Sequence, residues 1–288
     1  DERKQLYNAF NINLLKNNPY NYVENRPLIA IDPDGKTSEV VITKNESGKG
    51  GTINLSSKIY IQPSALPKGI SQEDAEAFIL NINNRLNKEF SSPGNYKDSQ
   101  GNTWDINVSV ELVIGEMGLK ERATANELVI GGASPHYSSR GKLNIPTNTF
   151  KQIAKGKFKN YSTVSEEAVH TLGFGDRYEV IGIPSNSGNL DFFGVMPMKG
   201  WENDILTGSA ISDSAVFDKK HYTDIGKYFD DPRRNTLELL NPGETMINLA
   251  FGKAGESFDQ TQPSSNKKNM MNYYKLTDEQ KEKVVRVF

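Results

Sequence analysis

The sequence predicts an α+β fold, a mixed and twisted sheet with helices set between and after its strands, and three observations predict it. Trp104, Ile106, Val108, Val110 and Leu112 alternate with polar neighbours, as a strand with one buried face requires. Ala75, Phe78, Ile79, Ile82, Leu86 and Phe90 recur at helical spacing. Residues Glu166 to Gly173 read as a further helix that a glycine ends.

The elements follow in order. Ile53 to Ile61 is a strand of β-branched and aromatic residues, closed off by Pro63 and Pro67. Ser71 is a plausible N-cap for the helix whose apolar stripe begins at Ala75. After the alternating strand come two short apolar strands, Leu128 to Ile130, ended by Gly131-Gly132, and Leu143 to Ile145, where Pro146 suits a sheet edge. Residues 180 to 268 are rich in Gly, Asn, Asp and Ser with weak periodicity, and are expected to wall the lower part of a cleft. Within them, Phe192, Phe193, Val195 and Met196 make an apolar run that reads as a small satellite core.

The chemistry gathers in Glu166-Glu167-Ala168-Val169-His170-Thr171-Leu172-Gly173-Phe174-Gly175-Asp176. Residues four apart on a helix lie one turn above each other, so side chains 166 and 170 reach one ion from a single face. Glu167 lies about 100° further round, where a general base for an ion-bound water belongs. Gly173 can take the left-handed conformation that ends a helix and reverses the chain, which returns Asp176 as a third ligand.

Glu166 admits three readings. As an oxygen ligand it completes a Glu, His, Asp set, whose two negative charges make a bound water less acidic than one histidine more would. In Thr163-Val164-Ser165-Glu166 it closes a capping box and needs no metal. Or it replaces an original histidine in an altered chain.

This run resembles the zinc-peptidase pattern H-E-x-x-H-x-x-G-x-x-H or D at every informative position but the first. Asn269-Met270-Met271-Asn272-Tyr273, followed by Leu276-Thr277-Asp278-Glu279-Gln280, resembles the Met-turn and closing helix of the metzincin metallopeptidases. With the order of elements, the likeness covers roughly residues 53 to 288, by position alone between 180 and 268. It implies a zincin, metzincin-like domain over residues 37–288, with an antiparallel edge strand that holds an extended peptide or protein substrate by main-chain hydrogen bonds. It further implies zinc held by His170, Asp176 and Glu166, and peptide-bond hydrolysis by a metal-bound water with Glu167 as base. Met271 becomes the structural floor beneath the ligands and Tyr273 an auxiliary oxyanion donor. The departure at Glu166 equally suits a metallopeptidase-like binding module without catalysis.

Asn18-Pro19-Tyr20-Asn21-Tyr22-Val23-Glu24-Asn25-Arg26-Pro27 and Ile31-Asp32-Pro33-Asp34-Gly35 resemble the end of the RHS repeat-associated core, after which polymorphic toxin domains begin. The resemblance implies that residues 1–36 are a leader behind an upstream RHS shell. It also implies a secreted or exported effector with an immunity protein as partner.

Composition is compatible with this and excludes other classes. At 288 residues and 36% hydrophobic, the chain can bury one large core. A net charge of −2 gives no general attraction to nucleic acid, and no stretch reaches the roughly 20 apolar residues of a membrane span. With no cysteine, disulfides and thiolate zinc sites are excluded. Of the three histidines, His136 is far from the motif in sequence and His221 reads as a surface residue. Lys151, Lys155, Lys157 and Lys159, and Lys267-Lys268, read as solvated faces.

Overall fold

The computed structural model describes residues 38–131, 136–138, 141–157, 161–185, 189–207, 215–251, 258 and 270–284. The leader over residues 1–36, Lys159 and Lys267-Lys268 lie outside them. Strands β1 (Ser38–Lys44) and β2 (Gly51–Ile61) form a hairpin. Helix α1 (Gln72–Glu89) follows, and Ser71 caps it in a full capping box with Asp74. A second hairpin of β3 (Gly94–Lys97) and β4 (Thr103–Ile114) leads to the short α2 (Leu119–Thr124). Then come β5 (Asn126–Ile130), β6 (His136–Ser138), β7 (Lys142–Ile145), α3 (Thr147–Ala154) and α4 (Tyr161–His170). After α4 come β8 (Tyr178–Pro184), β9 (Leu190–Pro197), α5 (Lys220–Asp230), α6 (Thr236–Leu239), β10 (Thr245–Phe251), β11 (Met271–Asn272) and α7 (Asp278–Glu282).

Strand β2 organises the main sheet. One of its edges runs parallel to β4 along its full length, from Gly51↔Trp104 to Ile61↔Ile114. The other is divided: β1 pairs antiparallel with residues up to Ser56, and β5 pairs in parallel at Ile59 and Tyr60. Beyond β1 lies β10, and beyond β5 lie β7 and then β6. The sheet is therefore mixed and the protein α+β.

The edge differs from the sequence expectation. Leu143 to Ile145 is bonded on both sides, parallel to β5 and antiparallel to β6, so β6 is the outermost strand there among the described residues. Its three residues are too few to carry a periodic signal. Pro146 is instead the residue before α3, where its fixed φ of −58° suits entry into a helix. The stretch from 180 to 268, expected to be irregular, contains two paired strands, two helices and β10; Gly182 and Pro184 within β8 obscure its pattern.

One face of the main sheet packs on helices. Ala75, Phe78, Ile82 and Leu86 line the buried stripe of α1, and Phe78 stacks on Phe150 of α3 with centroids 4.3 Å apart. Each fully buried Phe or Ile contributes about 1.5–3 kcal/mol. Val164, Ala168, Val169 and Leu172 carry α4 and its turn into the same core. A smaller three-stranded sheet, β11-β8-β9, has its own cluster of Ile181, Met196 and Leu276, flanked by Phe193, Met271 and Tyr273. Among the described residues no helix is long and apolar enough to cross a membrane.

Candidate metal centre

Helix α4 ends where the chemistry begins. Its last residue is His170, and the chain then turns through Thr171 to Gly173, with the Gly173 amide donating to the His170 carbonyl at 3.0 Å. Gly173 has φ +97°, the left-handed region that a side chain resists, and a Cβ there would meet Phe251 at 3.2 Å. The reversal returns Asp176 to the helix end, as the spacing predicts. Asp176 Oδ1 lies 3.1 Å from His170 Nε2. One ligand atom from each of Glu166, His170 and Asp176 lies within 4.8 Å of the others, a group that could hold a metal ion.

The second ring nitrogen of His170 is committed as well. Nδ1 lies 3.0 Å from the carbonyl oxygen of Phe174, which can only accept, so Nδ1–H donates and the Nε2 lone pair of the neutral ring faces the carboxylates. Metal-ligating histidines are fixed by this kind of outer bond. Burial works against charge on His170, but the hydrogen bond and charge of Asp176 and the charges of Glu167 and Glu166 outweigh it, raising the imidazole to about 9. Three carboxylates around one imidazole thus demand positive charge, which a proton or a cation can satisfy. The three ligand atoms within 4.8 Å of one another are the observation by which the residues fit a divalent ion.

Exposure divides the group. Glu166 is 5% exposed, while the Asp176 side chain is 32% exposed, so one side of the site is packed and the other reachable. Because α4 begins at Tyr161, Thr163 stands inside the first turn and not at its cap, so the capping-box reading of Glu166 does not hold. Glu167, one residue on, acts on both His170 and Tyr178 through its charge.

Sequence reasoning missed Tyr178. Burial holds its hydroxyl well above a phenol's ordinary value, reinforced by the charges of Asp176 and Glu166, a hydrogen bond to Asp176, and the charge of Glu167. The phenol is therefore a firm donor to Asp176. A signal was available, since it lies two residues beyond a proposed ligand.

The other candidate residues have their own surroundings. Met271 and Tyr273 pack in the smaller cluster with Ile181, Met196 and Leu276, and Tyr273 sits 4.6 Å from the Phe193 ring. That cluster is distinct from the core that holds α4. His136 is on β6, the strand that packs against α4. His221 is not on the surface: it is wholly buried, with Nε2 2.8 Å from Asp204 Oδ2. Lys155 and Lys157 are exposed, as a solvated face requires.

No family model matches the chain, and neither a curated protein nor a solved structure matches it.

Proposed function

We propose that the protein is a zinc-dependent hydrolase of peptide bonds, metzincin-like in fold and mechanism. The observation that carries this reading is the convergence of Glu166, His170 and Asp176 within 4.8 Å, with Glu167 next in the helix. Zinc, if held by these residues, would supply Lewis acidity toward a water and a peptide carbonyl. The chain's own residues supply the rest. His170, its Nδ1–H tied to Phe174, offers Nε2; Asp176, steadied by Tyr178, and Glu166 offer oxygens. Glu167 accepts the proton of the attacking water and returns it to the leaving amine. An extended peptide substrate adds to the sheet margin at β6 by main-chain hydrogen bonds. Met271 as floor, Tyr273 as oxyanion donor and an RHS-borne effector with an immunity partner rest on the resemblance of the sequence alone.

Metal analysis of purified protein tests this. Zinc is expected near one per chain in the wild type and lost in His170→Ala, while Glu167→Gln keeps zinc but loses cleavage of a casein substrate. Metal content unchanged by His170→Ala overturns the assignment.

The buried Glu166 favours a second reading, a binding module of the same shape without catalysis, since its extra charge quenches the ion's field. Glu166→His separates the two: a gain of both zinc affinity and peptidase activity means that the cleft is intact and short of one ligand.

A further inference from the structure

The pair of His221 and Asp204 lies outside the triad, yet contacts lead from it to both halves of the site. Asp204, 1% exposed, accepts three bonds: from the Leu206 amide on Oδ1 at 2.9 Å, from the Asp218 amide on Oδ2 at 2.9 Å, and from His221 Nε2 on Oδ2 at 2.8 Å. A desolvated carboxylate with three donors pins two backbone amides and one imidazole at once. Its position decides that of its neighbours.

The first path runs through the ring. His221 stacks on Phe217 at 4.5 Å, lies 4.7 Å from Trp201, and lies 4.7 Å from Phe174. Phe174 is the residue whose carbonyl fixes Nδ1 of His170. The second path runs through the backbone. Leu206, held by Asp204, accepts the Arg177 amide at 2.6 Å, and the Arg177 carbonyl accepts from the Met198 amide at 2.8 Å. Arg177 is bonded directly to Asp176 in the chain. Its guanidinium lies 4.5 Å from the centre of the Trp201 ring and 3.4 Å from Asp224 Oδ2, on the same helix as His221. His221 Nδ1 has no hydrogen-bond partner among the described residues, so the ring is held by its other nitrogen and by stacking.

We propose that Asp204 and His221 are positioning residues for the metal ligands, setting His170 through Phe174 and Asp176 through Leu206 and Arg177. This rests on the metal reading above. Neither residue touches the ion or the reacting atoms. Asn at 204 keeps the shape but turns a donor toward an amide or toward His221, and Gln at 221 keeps a donor but loses the stacking ring.

The test compares the full chain with Asp204→Asn, His221→Gln and Leu55→Ala. The last is a remote core variant that matches any loss of melting temperature. Zinc affinity is measured by competition with a chromophoric chelator, and amide exchange is followed at Arg177. Both positioning variants are expected to bind zinc about 10–100-fold more weakly, as outer-sphere partners do. They are also expected to lose protection at the Arg177 amide, while Leu55→Ala keeps wild-type affinity and protection. Wild-type zinc affinity in both positioning variants overturns the proposal. If the wild type itself takes up no zinc, the metal reading fails separately. Exchange then decides: protection retained at Arg177 in both variants overturns the positioning role, and its selective loss supports it. Should His221→Gln fail to fold, Asp204→Asn carries the test alone.

Discussion

Two histidine–aspartate pairs lie among the described residues, and their surroundings make them different objects. His221 and Asp204 are sealed at 0% side-chain exposure, 2.8 Å apart, among aromatic rings and backbone amides. His170 and Asp176 are 3.1 Å apart, with side chains 12% and 32% exposed and two further carboxylates close by. In the sealed pair every acceptor on the aspartate is matched by a donor of the fold. In the open pair the charges of three carboxylates act on one imidazole, and ligand atoms of Glu166, His170 and Asp176 lie within 4.8 Å of one another. Residue type thus decides little; the balance of donors and acceptors separates a clamp from a cation site.

The strongest break of this contrast is removal of each aspartate. Asp204→Ala leaves two amides and an imidazole buried without an acceptor and is expected to cost about 3–5 kcal/mol in urea unfolding. Asp176→Ala, at a partly solvated position, should cost metal-free protein less than Asp204→Ala does. Equal losses would erase the distinction. Metal sharpens it next. Zinc at about 100 times its Kd should raise stability by about 2.7 kcal/mol, an increment that chelation or His170→Ala removes and that calorimetry reads. Gly173→Ala comes third. A side chain at φ +97° against Phe251 should cost about 1–2 kcal/mol and weaken zinc binding, because the turn that delivers Asp176 is strained.

The last lever is pH, and it acts on the open pair. His170 is raised in the fold from 6.5 to about 9, so its contribution is fully present below 6.5 and is lost as pH rises through about 9. Metal-free protein should lose stability across that window, and His170→Gln should flatten the profile. Zinc binding runs the other way, since the ion displaces the proton, and tightens as pH rises. Unfolding curves from pH 6 to 10, with and without chelator, check both signs.

Much of the architecture could be read from periodicity. The alternation from Trp104 to Leu112 became β4, and the stripe from Ala75 became α1 with its Ser71 cap. The ligand cluster was legible because i,i+4 spacing and one glycine suffice to define it, as Gly173 shows by its positive φ. Other features depend on partners distant in the chain. Burial of His221 is decided by Asp204, 17 residues earlier, and by the rings of Trp201 and Phe174 as well as the nearby Phe217, and of these a local window contains Phe217 alone. Helix α3 was concealed because its eight residues hold only two turns of pattern and Lys151 reads with the lysines that follow the helix, although Phe150 and Ile153 form its buried face. Strand β6 is too short to announce itself, so the margin of the sheet was assigned one strand too far in.

The seam between the two packed layers has one more consequence. His170 closes a helix rooted in the large core, whereas Tyr178, two residues beyond Asp176, opens the first strand of the small sheet. An ion gripped by both ligands would act as a rivet across that joint, so that loosening of the small sheet and release of the ion become one event.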